Sequence, residues 1–331
     1  MEDVTRRGVI LFVLLGVIWG IPYLLIKIAV GGLDPAMLLL SRTGLAALVL
    51  LPVAAVRGEI GPVLRRWRPL LAYTVAELVV PQLLLGTAEE RLPSSTTGLL
   101  IAAVPLAGVG IAALLGRPER MSAANWLGIG VGMTGVATLA GFAVSGSDLG
   151  ATGEVLVVVI GYALGPAILA RWMDGLPGTG VTAVALAITA VVCVPLVTLA
   201  HGWPARWPAP PVLASVISLA VVCTAAGFTI MAMLVGEVGP VRATAVTYLN
   251  PAVALAAGAI VLGEPVTGWS LAGFALILAG CLLVAVRRPS AVRPVRPGPA
   301  PPGGQPEPVR DRVQRDRRPE GQPTAGRSAA C

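Results

Sequence analysis

Charge is scarce in this chain: Asp, Glu, Lys and Arg make up 12% of its 331 residues. A soluble domain carries roughly 25%, so a water-facing surface of ordinary polarity cannot be assembled from it. Histidine occurs once, at His201. That excludes a His-Glu-x-x-His metal helix, and no paired-Asp motif replaces it. The absence of a Walker A loop argues against an ATP-driven pump. Cysteines are few: Cys193, Cys223 and Cys281 lie in apolar blocks and Cys331 is the last residue, with neither metal-ligand spacing nor a prenylation box. No cofactor or metal is implied, and the chain is not read as an enzyme.

Aromatic residues are also sparse, at 5%. This matters because the formal charge is +7, a value that in another setting would suggest nucleic acid. Much of the excess sits after Arg288, with no aromatic residue among those arginines to stack on bases. Nucleic acid is therefore not an expected partner. Residues 288–331 read as a disordered, Pro/Arg-rich cytoplasmic tail beside an anionic membrane face.

What the sequence has in abundance is apolar surface. Hydrophobic residues reach 56% and the mean hydropathy is +0.83. They come in blocks of roughly 16 to 25 residues, the length that crosses a ~30 Å hydrocarbon slab at helical rise. The blocks are continuous rather than alternating, which argues against a β-barrel. Ten spans are expected: 8–29, 36–56, 70–88, 97–115, 123–142, 155–172, 181–199, 211–235, 241–262 and 269–286. The sixth is the weakest, being short and interrupted by Gly161, Gly165 and Pro166. With ten spans and the termini in the cytoplasm, the inner segments hold Arg6, Arg7, Arg57, Arg65, Arg66, Arg68, Arg117, Arg120, Arg171, Arg242, Arg287 and Arg288. The outer loops hold Arg91 and Arg206 alone. That asymmetry follows the positive-inside rule and places the chain in the inner membrane.

The two halves carry a parallel series of landmarks. Val104-Pro105-Leu106, Gly116, Asn125-Trp126-Leu127-Gly128 and Gly135 match Asn250-Pro251-Ala252, Gly263, Ser270-Leu271-Ala272-Gly273 and Gly280; upstream, Glu90 before Pro93 matches Glu237 before Pro240. Five spans per half invert the second copy, an arrangement used by secondary transporters. The expected organisation is a cytoplasmic N-terminus (1–7), a first five-helix repeat (8–142), a loop (143–154), a second repeat (155–287) and the tail (288–331). The fold class is all-α integral membrane, ten helices in two inverted repeats.

These residues also carry a family likeness. Ile18-Trp19-Gly20 with Tyr23 and Lys27, Ser41-Arg42, Asn250-Pro251, Gly263-Glu264-Pro265, Gly273 and Gly280 make the chain resemble the EamA family of the drug/metabolite transporter superfamily, over roughly residues 8 to 287. The resemblance implies a five-plus-five fold and movement of small metabolites. One departure stands out: where the first half should show Gly-Glu it reads Gly116-Arg117-Pro118-Glu119.

Candidate site residues are the polar groups inside apolar spans, each costing upwards of ~2.5 kcal/mol near the bilayer centre on insertion scales. Glu77 lies ~10 Å into the third span at helical rise and shares an i, i+4, i+8 face with Tyr73 and Pro81. It either binds solute or a proton, or pairs with a polar neighbour. Arg42 is expected on backbone carbonyls or outer-loop acids, and Lys27 is expected to snorkel to the outer boundary. Thr244, Thr247, Tyr248 and Asn250 form a polar stripe beside Pro251, read as cavity lining or as interhelical hydrogen bonding. Trp19 and Tyr23 form an i, i+4 aromatic pair, read as a solute wall or as core. Gly128 with Gly132, and Gly161 with Gly165, read as close-packing sites without chemistry. The function expected is secondary transport, most simply export, of a small solute, with protons as coupling ion. The lipid bilayer and, as an open question, a second copy of the chain are the other partners. A scramblase, a receptor or an intramembrane enzyme on the same scaffold are the alternatives.

Overall fold

The structure, a computed structural model, describes residues 5–114, 123–144, 149–201, 203–204, 206–238, 243, 246–247 and 249–285. The tail expected at 288–331 lies outside these, as do Thr244 and Tyr248. Among the described residues the regular structure is helical, with no strand. Seven helices are long and apolar enough to cross a membrane, and three shorter apolar helices accompany them.

In chain order the helices are α1 (Arg6–Gly20, continued as Pro22–Val30), α2 (Pro35–Val56) and α3 (Trp67–Arg91). Next come α4 (Ser94–Ile101, continued as Val104–Leu114), α5 (Ala123–Val144), α6 (Leu149–Trp172) and α7 (Gly178–Leu199). The last three are α8 (Pro210–Val238), α9 (Asn250–Leu262) and α10 (Gly268–Ala285). A short helix, Ile60–Arg65, leads into α3. Several ends differ from the sequence expectation. α3 runs on through Glu89, Glu90 and Arg91, and α6 begins at Leu149 instead of Val155. α6 passes unbroken through Gly161, Gly165 and Pro166, and His201, placed in a loop by the sequence reading, closes the helical turn Val197–His201.

Prolines account for most irregularities. The missing N–H of Pro22 goes with the break of α1 at Ile21, and Pro105 follows the break of α4 at Ala102-Ala103. A proline ring also crowds the carbonyl four residues back. In α3 the helix widens to a π turn over Thr74–Val79 immediately before Pro81, and α8 widens over Ser218–Ala226. Such wide turns are uncommon and concentrate at functional sites.

Packing follows a regular scheme. α5 lies along α10, α2 against α7, α4 against α9, α3 against α6 and α1 against α8. The α5–α10 approach is close enough that a Cβ at Gly280 would fall 2.5 Å from the Gly132 nitrogen, and one at Gly135 2.7 Å from the Gly273 carbonyl. Only glycine permits that backbone contact. α3 and α6 run antiparallel: Arg66 donates to the carbonyls of Trp172 (3.0 Å) and Asp174 (3.2 Å) at one end, and Arg91 bonds Glu154 at the other. The outward faces are strongly apolar, with Leu48 71%, Val191 70% and Ile260 82% exposed. In water such bands would drive association; in lipid they are the solvated surface.

Candidate functional site

Each polar group singled out in the sequence has a definite place. Glu77 sits within the π turn of α3, facing α6. Its Oε2 is enclosed with no hydrogen-bond partner. What makes room for it is Gly165: a Cβ there would lie 1.9 Å from that oxygen. One turn away, a Cβ at Gly161 would strike the Ala76 carbonyl at 2.4 Å and the Pro81 ring at 2.5 Å. The Gly161/Gly165 pair, read from sequence as plain packing, is therefore the floor under the carboxylate. Of the expected i, i+4, i+8 face, Glu77 and Pro81 both meet α6, at Gly165 and Gly161. Tyr73 and Pro81 are buried while Glu77 is half-buried.

Arg42 corrects one expectation. Its Nη1 donates to Gln82 Oε1 on α3 at 2.7 Å; the recorded partner is neither a backbone carbonyl nor an outer-loop acid. The amide is close by because α2 and α3 pack side by side. The guanidinium is within electrostatic reach of Tyr23 on α1, Glu89 on α3, Tyr162 on α6 and Cys223 on α8. Tyr162 in turn senses both Glu77 and Glu89. Groups from five helices thus lie within electrostatic range of one another, yet among the described residues no ion pair joins Arg42 to Glu77 or Glu89.

Lys27 corrects a second. It does not snorkel; its Nζ donates to the backbone carbonyls of Glu89 and Leu92, the latter at 2.9 Å, at the C-terminal end of α3. Carbonyls freed at a helix end attract a cation, and the helix dipole adds to the attraction.

Trp19 and Tyr23 meet different neighbours. Trp19 donates from Nε1 to the Cys223 carbonyl at 3.1 Å and meets Phe228 edge-on with ring centroids 5.8 Å apart. Tyr23 is buried against the α4 backbone at Gly98. Of the ninth-span stripe, Thr247 is exposed and Asn250 lies by Gly20 of α1, its Oδ1 enclosed without a partner.

The sequence reading passed over Glu89, whose side chain is 0% exposed and whose two carboxylate oxygens both lack partners. Placed just beyond the drawn span, it looked like a loop acid. Its spacing of seven from Gln82, two helical turns on one face, was the available signal.

Glu264, part of the Gly263-Glu264-Pro265 landmark, caps α4. Oε1 accepts from the Ser94 N–H (2.7 Å) and hydroxyl (3.0 Å), and Oε2 accepts from the Ser95 N–H (2.9 Å). Partial burial would raise the carboxyl's pKa, but the donors of Ser95 and Ser94 outweigh it and hold it below the usual range. Gly263 closes α9 at φ 66°, a left-handed conformation that glycine adopts freely, which turns the next side chain back onto α4. Among the described residues no group of His, Cys, Asp and Glu side chains could hold a metal.

A family model described as the EamA-like transporter family matches the chain twice, over residues 6–141 and 153–286. The chain belongs to that family. Among curated relatives, this EamA-like transporter is 31% identical over 267 residues to a protein of Streptantibioticus cattleyicolor named a probable terminal-alkyne amino-acid exporter; the match covers 78% of this chain and 86% of the relative. It is 29% identical over 254 residues to the uncharacterized inner membrane transporter YedA of Escherichia coli K12, covering 75% of this chain and 80% of that one. A solved crystal structure aligns over 84% of this chain and 96% of its own with TM-score 0.60 at 19% identity, a likeness of fold. The protein is a multi-pass membrane transporter of the EamA type.

Proposed function

We propose that this chain is a secondary exporter of a small solute carrying a cationic group, working by alternating access from the inner membrane with both termini in the cytoplasm. The observation that carries the reading is the enclosed, unpartnered Oε2 of Glu77, set on Gly165 at a π turn in the middle of a span. An unpaired buried charge costs several kcal/mol, and a solute ammonium group, or a proton exchanged for it, offsets that cost. Arg42 and Gln82 supply the complementary donors for a carboxylate or carbonyl on the same solute. An amino-acid-like solute meets both requirements, and the printed name of the Streptantibioticus relative points the same way.

Alternating access follows from the packing. If α1–α5 and α6–α10 are inverted copies, α2–α7, α4–α9 and α5–α10 are pairs of equivalents. α3–α6 and α8–α1 are then one contact seen twice. The two family matches divide the chain at the same place. Rocking one repeat against the other about these seams would expose Glu77 to each side in turn. The clustering of Arg57, Arg65, Arg66, Arg68 and Arg171 at one end of α2, α3 and α6 supports that end as the cytoplasmic one.

Counterflow in proteoliposomes tests the reading, with radiolabelled propargylglycine and a panel of amino acids and amines as probes. Accumulation driven by internal unlabelled solute is the expected result. No counterflow of any probe, with labelled phospholipid flipped instead, would replace transport by scrambling.

A further inference from the structure

The turn between α3 and α4 is held by two opposite charges from elsewhere in the bundle. Lys27, from α1, sits on the carbonyls of Glu89 and Leu92 where α3 ends. Glu264, from the α9–α10 turn, sits on the N–H groups of Ser94 and Ser95 where α4 begins. Each charge suits the helix end it touches, so α3 and α4 are clasped at their shared corner. Inside that clasp lies Glu89, 0% exposed, with neither carboxylate oxygen hydrogen-bonded. The Lys27 ammonium is bonded to the backbone carbonyl of Glu89 but not to its carboxylate.

That arrangement is incongruous for a carboxylate anion. An ionised group so enclosed would draw the nearby ammonium onto itself, whereas a neutral acid leaves it free for the carbonyls. The charged and titratable groups around Glu89 are Lys27 and Tyr23 of α1, Arg42 of α2, Tyr162 of α6 and Glu264 of the α9–α10 turn. α4 contributes the buried hydroxyl residues Ser94, Ser95 and Thr97. On α3 itself Glu90 is exposed and Arg91 is engaged by Glu154.

We propose that Glu89 is a proton-binding site, distinct from Glu77, whose occupancy locks and unlocks the α3–α4 corner. With the proton on, Lys27 holds the carbonyls of Glu89 and Leu92 and the corner is closed, as seen here. When the proton leaves to water, the Lys27 side chain moves onto the Glu89 carboxylate, releases the two carbonyls and frees the corner. The role as a gate rests on the transport reading above; the proton site does not.

Both parts are measurable on the full chain in nanodiscs of phosphatidylethanolamine and phosphatidylglycerol, without any solute. In pH-difference infrared spectra recorded in a Glu77→Gln background, which removes the other enclosed carboxyl, the carbonyl stretch of an unbonded carboxylic acid is expected, and it is expected to vanish when Glu89→Gln is added. Gln is close in shape to the neutral acid, so this variant is expected to fold; Glu89→Asp, which keeps the acid, is expected to keep a shifted band. Gating is read with Thr97→Cys, a buried position at the start of α4, in a background where Cys193, Cys223, Cys281 and Cys331 are serine. Labelling by a charged maleimide is expected to quicken several-fold from acid to alkaline pH. Glu89→Gln should label slowly at every pH and Lys27→Gln quickly at every pH. A band that survives when Glu89→Gln is added to the Glu77→Gln background, or a Glu89→Gln protein with the wild-type pH dependence of labelling, overturns the proposal. Failure of counterflow with these signatures intact would instead overturn the transport reading alone.

Discussion

The wide turns of α3 and α8 use the same backbone device and finish it differently. In α8, Thr224 returns its hydroxyl to the Leu219 carbonyl at 2.8 Å, and the Cys223 carbonyl accepts from Trp19 of α1. That hydroxyl and that carbonyl both have partners within the bundle. In α3, Thr74 returns its hydroxyl to Leu70 in similar fashion, also at 2.8 Å. The place that Thr224 occupies is taken there by Glu77 when the Glu90/Glu237 and Pro93/Pro240 landmarks are aligned, and its Oε2 is left unsatisfied over Gly165. Among the described residues, the α3 turn leaves an enclosed side-chain acceptor open and the α8 turn does not. Gly165 of α6 accordingly faces a carboxylate, while Gly227 of α8 faces the Trp19 indole.

The comparison can be broken most forcefully at its floor. Gly161→Val drives a side chain into the Ala76 carbonyl and the Pro81 ring, where only backbone or a rigid ring could yield. A loss of about 1–3 kcal/mol of stability is expected, read from unfolding in mixed micelles. Glu77→Gln comes next: it removes the open charge but keeps the shape. Counterflow is expected to fall by about tenfold or more, the equivalent of one charged hydrogen bond, with thermal stability unchanged or raised. Trp19→Phe tests the self-sufficient turn. It strips the donor from the Cys223 carbonyl and keeps an aromatic ring against Phe228, so it should cost ~0.5–1 kcal/mol, the range of hydrogen bonds in membrane helices, and leave counterflow intact.

The smallest effect lies outside both turns, at the Glu264 cap. Glu264→Gln weakens a charged cap at a helix N-terminus and should cost ~0.3–1 kcal/mol at neutral pH. Its folded pKa lies below the unfolded value, so the cap's contribution is full above the ordinary carboxylate range of ~4.3. It is lost as pH falls through the lower, folded value. Melting curves of wild type and Glu264→Gln should therefore converge in acid and separate toward neutrality; parallel curves would remove the cap from the account.

Much of the helical layout was legible in the sequence because apolar length and turn residues respond to the bilayer locally. Helix ends were less so: α3 continues through Glu89-Glu90-Arg91 because Lys27 and Glu154 meet its last turn, partners that no local pattern reveals. The polar residues that matter could be named, since each is anomalous where it stands. Their partners could not. Arg42 finds an amide on the next helix, and Lys27 finds carbonyls instead of headgroups, because an available acceptor within the bundle spares the side chain its extension to the interface. Trp19 and Tyr23 could be named too, but not their neighbours: the Cys223 carbonyl and Phe228 for Trp19, the α4 backbone at Gly98 for Tyr23. Glu77 was conspicuous; Glu89 was hidden by standing next to a landmark.

The account turns on whether the open oxygen over Gly165 receives the solute. A ligand-dependent thermal-shift titration of wild type and Glu77→Gln against the same panel of amino acids and amines addresses it directly. At least one probe should raise the melting temperature of the wild type and leave that of Glu77→Gln unmoved at the same concentration. An equal rise in both proteins, at equal ligand, would place the solute elsewhere and contradict the account.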